Sequence, residues 1–390
     1  MKRKTFPGIF APFAFFVAIC CSFLLTGCKE DKKMNYFYGF DASAESDSWN
    51  KGRYKNENGE KKDIFEILKD HGVNYIRLRV WNDPKNVNNP EEPGLSNLET
   101  LVKQAKRVKA LGLGFLLDFH YSDYWADPGK QAIPQAWLSC TTSDQVAKKL
   151  SEWTSQVLSA LHDAEASPDM IQIGNEINSG ILTGHYESGK LKPLSSVVSG
   201  SSSRSPENYI KYLQSGIDAA RKSCPQAKIM LHLAEGGGKI NWLLDMYKDA
   251  GLDYDIIGLS YYPFEKSHGG IDNLAENIKI FRKTYGKEVV IAETAHPFMT
   301  DNPKSADLVN ATANLTHKNG KVYEGIEVKN GLVTASVKNQ AAVIKAVSDT
   351  AKASGARGFF TWGGEYLGSW KYGMFSDAGL PLASLNVFKD

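Results

Sequence analysis

From residue 36 to residue 362 the chain repeats one unit: a short β-rich run, a polar or glycine-rich loop, then an amphipathic helical stretch. Strand candidates fall at 36–41, 74–81, 114–120, 170–175, 228–233, 255–262, 288–293 and 357–362. Helical stretches intervene at 61–71, 97–111, 144–164, 206–223, 240–249, 272–285 and 341–353. Runs such as Val289-Val290-Ile291 are apolar without alternation, as strands buried on both faces of a parallel sheet require. Strict β/α alternation carried through eight strands predicts an α/β chain closed as a single (β/α)8 TIM-barrel domain. A doubly wound open sheet is the competing architecture. It calls for a glycine-rich phosphate turn after the first strand, and Gly39-Phe40-Asp41-Ala42 does not supply one. The 390 residues, 42% of them hydrophobic, suffice for a barrel of this size with long loops.

The residues before the first strand read as an address. Lys2, Arg3 and Lys4 precede an apolar run over 6–25 that ends in Leu25-Thr26-Gly27-Cys28. A charged start, an apolar middle and a small-residue exit describe a secretory signal peptide. A membrane-spanning helix is the alternative for a run of this length. Leu-Thr-Gly-Cys resembles the bacterial lipobox, which assigns 1–27 to a lipoprotein signal and 28–35 to a tether lipidated at Cys28. The barrel then occupies 36–390, and the expected location is the cell surface or outer membrane of a bacterium. Beyond Cys20, Cys21 and Cys28 only Cys140 and Cys224 remain. They are expected about a helix length apart, so no disulfide is predicted. No Cys/His spacing suits zinc, and neither a metal nor a cofactor is assigned. The 46 basic and 44 acidic residues leave a net charge of +2. That balance gives no field to gather nucleic acid and suits a neutral substrate. A monomer is expected.

Two connections are long: 177–205, rich in Ser and Gly, and 294–339, where alternating runs around Asn330-Gly331 suggest a β-hairpin within 320–337. Both follow strands, so both are expected to wall the catalytic face.

In a (β/α)8 barrel the strand C-termini converge on one pocket. Here those positions hold Asp41, Arg77, Arg79, Trp81, Asp118, His120, Asn175, Glu176, His232, Tyr261, Glu293 and Trp362. Singly, each has a plain structural reading: arginines pairing with barrel acids, a hydrogen-bonded barrel histidine, aromatics filling the barrel top. Glu176 and Glu293 resist that reading. Two acids in one barrel mouth raise each other's pKa with no structural gain. Glycoside cleavage needs such a pair, one carboxyl to protonate the leaving oxygen and one to attack the anomeric carbon, about 5–5.5 Å apart when configuration is retained. Glu176 is assigned as general acid/base and Glu293 as nucleophile.

The same residues carry a resemblance. Ile173-Gly174-Asn175-Glu176 and Ala292-Glu293 resemble the large clan of retaining barrel β-glycanases. Arg77-Leu78-Arg79-Val80-Trp81-Asn82-Asp83-Pro84, Asp118-Phe119-His120-Tyr121-Ser122-Asp123 and Trp125-Ala126-Asp127-Pro128-Gly129-Lys130-Gln131 are similar to glycoside hydrolase family 53, the arabinogalactan endo-β-1,4-galactanases. So are Ile229-Met230-Leu231-His232-Leu233 and Ser260-Tyr261-Tyr262-Pro263-Phe264. The resemblance implies cleavage of β-1,4-galactan with retention. It implies that Asn175 bonds the sugar 2-hydroxyl, Tyr261 holds the nucleophile, and Trp362 floors the cleavage subsite. Arg79, His120 and Asp118 complete the polar surroundings, with Trp81 and Trp125 positioning or stacking nearby. The sequence departs from the family at Trp362-Gly363-Gly364-Glu365, where Trp-Glu-Pro-Ala-Trp is expected. It also lacks the Asp-Gly-Asp-Gly-His run that resembles a calcium site, and the hairpin segment looks inserted, with a wall able to alter how many galactose units are held. A mannanase or cellulase of the same clan, and a non-catalytic surface glycan-binding lipoprotein, are the rival functions.

Overall fold

In the computed structural model, residues 36–84 and 95–389 are described. The signal, the tether and Cys28 lie outside them. Eight parallel strands close a barrel: β1 Phe37–Asp41, β2 Tyr75–Val80, β3 Gly114–Phe119, β4 Met170–Ile173, β5 Lys228–Leu233, β6 Ile256–Ser260, β7 Glu288–Thr294 and β8 Gly358–Thr361. Each pairs with its neighbours in sequence, and β8 closes on β1. Seven of the outer helices fall where the periodicity places them: α1 Ile64–Asp70, α2 Leu98–Ala110, α3 Ser143–Asp163, α4 Pro206–Ser223, α5 Asn241–Asp249, α6 Ile271–Tyr285 and, last in the chain, α8 Val337–Ala353. An additional helix, α7 Ala306–Asn314, lies in the β7 connection.

Local chemistry sets these boundaries. Thr142 begins α3 with a reciprocal capping box to Gln145, and Asp63, Asn97 and Ser336 each cap a helix by accepting a backbone N–H. Inside the barrel, Leu116, Met170, Met230, Ile256, Val290, Ala292 and Phe360 form an apolar plug. Gly39 makes room for it, since a Cβ there would lie 2.3 Å from the Phe360 ring. One register step above the plug, the inward positions turn polar: Asp41, Arg77, Asp118, Gln172, His232 and Ser260, all buried. That layer is the base of the site.

The two long connections stand behind the walls of the cleft rather than in them. The segment after β4 supports the β3 loop: Ile133 N–H donates to Gly184 O at 2.7 Å, and Thr183 N–H donates to Gln131 O at 2.6 Å. The segment after β7 supports the β8 loop through Phe298 N–H to Lys371 O at 2.8 Å and the Lys371–Asp307 ion pair at 2.6 Å. The hairpin within 320–337 forms as Val328–Lys329 against Leu332–Val333, turning at Asn330 and Gly331, both at positive φ. It is docked on α7, where Val333 N–H donates to Thr312 Oγ1 at 2.8 Å. The expectation that these connections wall the cleft is corrected accordingly.

Candidate active site

A cleft of about 530 Å³ opens above the polar layer. Eight residues singled out in the sequence line it: Glu176, Glu293, Asn175, Arg77, Arg79, His120, Trp362 and Trp125. Each carboxyl reaches the cleft through a local departure from regular strand. In β7, Leu259 pairs with Ile291 but Ser260 pairs with Glu293, so Ala292 is an extra residue. The bulge lets Ala292 fill the plug while Glu293 also turns inward. After β4, Gly174 turns at φ +79° and Glu176 adopts left-handed backbone, φ +47° and ψ +53°. A non-glycine residue there costs on the order of 1 kcal/mol, a strain that functional side chains commonly hold.

Glu293 is held at both oxygens. Oε1 meets Arg77 Nη1 at 2.8 Å, and Oε2 accepts from the Tyr262 hydroxyl at 2.6 Å. Arg77, 1% exposed, also reaches Asp41 at 2.7 Å and Asp118 at 2.8 Å, so three carboxylates share one fixed cation. Glu176 has no such cation. Burial first, and the Glu293 charge second, push its carboxyl up to about 8. Burial raises Glu293 as well, against the pull of Arg77 and of Tyr262. The proton of the pair therefore resides on Glu176 and the negative charge on Glu293.

Three expected site residues are placed differently. Tyr261 faces the outer helices and donates to Gly269 O at 3.1 Å; the neighbour Tyr262 holds Glu293. Strand alternation explains the swap, because Ile256 belongs to the plug, so 258, 260 and 262 follow it on the inner face. Asp118 does not reach the cleft: it is fully buried, accepting from Arg77 and from Gln172 Nε2 at 2.6 Å. Trp81 is fully buried behind the wall, and its indole N–H donates to His120 Nδ1 at 3.3 Å. It orients His120 without lining the cleft. Tyr262→Phe is expected to lower kcat about 10- to 100-fold, the worth of a hydrogen bond to a charged group, whereas Tyr261→Phe stays within about threefold. Steady-state kinetics of the two variants check this, and equal effects would remove the distinction.

The rest of the wall went unassigned from the sequence. Tyr366, Trp370 and Tyr372 come from the β8 loop, Phe264 and Glu265 from the β6 loop, and Asp127 and Lys130 from the β3 loop. The signal for the first group was the aromatic density after β8, in the stretch that departs from the family. Gly363 sits at φ +72°, and a Cβ there would lie 2.9 Å from Trp370 Nε1. Glycine thus lets Trp370 close onto Trp362, ring centroids 6.0 Å apart. Glu365 points away beneath the site, accepting from Ala44 N–H at 3.3 Å. Arg79 lies over the Trp125 ring at 4.0 Å, and its Nε and Nη2 have no protein acceptor. Such a wall offers stacking faces and a buried positive charge behind one of them. Among the described residues, no group of three or more His, Cys, Asp or Glu is arranged to hold a metal ion. Cys140 and Cys224 are both free thiols.

A closed parallel barrel with two carboxyls sharing one aromatic cleft at its strand C-termini defines a TIM-barrel glycoside hydrolase. The chain belongs to glycosyl hydrolase family 53, whose sequence model matches residues 37–388. It is 38% identical over 257 residues to a Niallia circulans protein described as an uncharacterized protein in the bgaB 5' region, and that match covers 65% of each chain, just under two thirds of the relative. It is 32% identical over 337 residues to the endo-beta-1,4-galactanase of Bacillus subtilis (strain 168), covering 85% of this chain and 71% of that one. Among solved structures, the GH53 catalytic domain of Ignisphaera aggregans superposes with a TM-score of 0.75 at 29% identity, covering 92% of this chain and 97% of that one.

Proposed function

We propose that this protein hydrolyses β-1,4-galactosidic bonds within galactan and type I arabinogalactan by double displacement. The observation that supports it most is the asymmetry of the two carboxyls across one cleft: Arg77 and Tyr262 fix Glu293, whereas Glu176 has no ion-pair partner among the described residues, and burial together with the Glu293 charge pushes its carboxyl up to about 8. In the first step Glu176 gives its proton to the glycosidic oxygen as a Glu293 oxygen attacks the anomeric carbon. The C–O bond breaks, its electron pair passes to the departing hydroxyl, and a galactosyl ester of Glu293 forms. In the second step Glu176, now a carboxylate, takes a proton from water while the water oxygen attacks the same carbon. Glu293 leaves as a carboxylate, and two inversions restore the configuration.

The second proton of the Asn175 amide, beyond the one given to Ala126 O at 2.8 Å, suits the 2-hydroxyl. Trp362 and Trp370, which line the cleft, suit a galactose face. A time course on unbranched galactan should release a ladder of oligosaccharides, with mannan and cellulose untouched. No release from galactan would sink the substrate assignment.

We also infer a monomer tethered to a bacterial membrane by a lipid on Cys28. The basic start, apolar run and Leu25-Thr26-Gly27-Cys28 support it. Lipid labelling that persists in Cys28→Ser would remove that residue from the role.

A further inference from the structure

An exposed tryptophan by itself carries no message. Trp49, 59% exposed in the loop between β1 and α1, is set apart by the way it is mounted. Asp47 Oδ1 accepts from the backbone N–H of Trp49 at 2.9 Å and of Asn50 at 2.6 Å. Asn50 is fully buried; its amide nitrogen donates to Ala44 O at 3.0 Å, and its oxygen accepts from Leu367 N–H at 3.2 Å. Arg53 donates to Trp49 O at 3.2 Å and to Asp377 O at 2.8 Å, and its guanidinium lies 4.7 Å from the centroid of the indole ring. The backbone beneath the ring is thus fixed on both sides, and one face of the ring is already packed. Leaving that much apolar ring in water does not stabilise the fold. Holding it still does lower the entropy cost of a ligand that stacks on it.

The same loop is stitched to the β8 loop, which supplies Tyr366, Trp370 and Tyr372 to the cleft wall. Besides the bonds to Leu367 and Asp377, the Tyr54 hydroxyl donates to Glu365 O at 2.8 Å and Lys55 N–H to Gly379 O at 2.9 Å. The indole nitrogen of Trp49 faces Gly368, where an added Cβ would stand 3.8 Å from it. Gly368 lies midway between Tyr366 and Trp370 in the sequence, at most about 7 Å along the chain from either. Ring centroids are 5.3 Å apart for Tyr366 and Trp370, and 6.0 Å for Trp370 and Trp362. Aromatic surface therefore runs from Trp362 in the cleft, through Trp370 and Tyr366, to Trp49 at the outer rim.

The position of the acid decides which half of a substrate this path meets. Glu176 follows β4, so the leaving half of a glycan departs on the β4 side. In the closed ring β8 lies four strands from β4 in either direction, and β1 adjoins β8. We propose that Trp49 is a sugar-binding platform for the non-reducing portion of a galactan chain, beyond the units held in the cleft. The open face of the indole stacks on a galactose ring there. A neutral ligand suits the place, because Arg53, the cation against the ring, is already paired with Asp377 at 3.4 Å. The inference rests on the proposed galactanase function and on Glu176 as its acid.

The experiment measures kcat/KM and cleavage position on reducing-end-labelled β-1,4-galacto-oligosaccharides, from the triose to the hexaose, for the wild type, Trp49→Ala and Trp49→Phe. Trp49→Ala should lose about five- to tenfold on the hexaose, the scale of one aromatic stack, and the loss should shrink to within about twofold on the triose. Its cut in the hexaose should move toward the non-reducing end, so that the labelled fragments lengthen. Trp49→Phe, which keeps a stacking face, should recover most of the loss. Equal losses at every chain length, an unmoved cut, or labelled fragments that shorten would overturn the platform. A wild type that cuts no member of the series would instead overturn the galactanase reading, and the platform with it.

Discussion

Glu293→Ala should lower kcat on galactan by on the order of 10⁵-fold, the scale on which loss of a covalent nucleophile is felt. The geometry sets the size of the effect. Arg77 at 2.8 Å and Tyr262 at 2.6 Å fix both oxygens, so no neighbouring carboxylate can swing into the vacated place. Asp41 and Asp118 are tied to Arg77 beneath the floor. The alanine leaves a carboxylate-sized hole beside a buried guanidinium. Azide fits such a hole in charge and size, and should attack the anomeric carbon from the face Glu293 used. One displacement then replaces two, and the product should be the α-galactosyl azide, inverted relative to the β-linked substrate. A β-azide, or turnover at the wild-type rate, would take the nucleophile's role from Glu293.

Glu176→Ala should show a loss that depends on the leaving group. Its carboxyl, held up to about 8 by burial and by the Glu293 charge, is the proton source at neutral pH. An alkoxide leaving from galactan requires that proton, and its loss costs about 10²–10⁴-fold. A dinitrophenolate leaves as a stable anion, so formation of the glycosyl-enzyme from such a substrate should slow by about tenfold or less. Hydrolysis of that ester also lacks its base, so azide should accelerate the second step and yield the β-galactosyl azide. The sign of the wild-type pH dependence follows from the same shift: kcat/KM falls as pH rises through about 8, where Glu176 loses its proton. Equal losses with good and poor leaving groups would count against Glu176 as the acid.

The barrel was legible because its evidence was redundant. Each strand is a short apolar run, each long helix has an apolar stripe, and β5 and α4 match their predicted spans residue for residue. Helix α7 was not legible. It has nine residues and buries only Leu308, Ala311 and Asn314, too sparse a stripe to stand out in a polar connection. The floor of the site was readable through period-two alternation, and the same rule, continued past Ser260, selects Tyr262 over Tyr261. Glu293 is the reverse case. Strict alternation from Ala292 would send it outward, and only the bulge turns it in, a feature carried by β6 and β7 together. Asp118 was misassigned to the substrate because sequence does not reveal that Arg77 and Gln172 already occupy both its oxygens. Trp370 lies eight positions beyond Trp362, and what brings the two together is the φ of +72° at Gly363. Long connections look like walls in a sequence. Here they brace the shorter loops that form the wall, and such bracing consists of backbone bonds like Phe298 N–H to Lys371 O, which no side-chain pattern announces.

Two carboxyls with divided labour across one cleft require an ester on a particular side chain. A 2-deoxy-2-fluoro galactosyl substrate with a dinitrophenyl leaving group slows both steps but still forms that ester, and mass spectrometry of the digested protein locates it. The label should sit on Glu293 at one equivalent per chain, with Glu176 unmodified. A label on any other residue, or release of the leaving group without a labelled peptide, would contradict the double displacement.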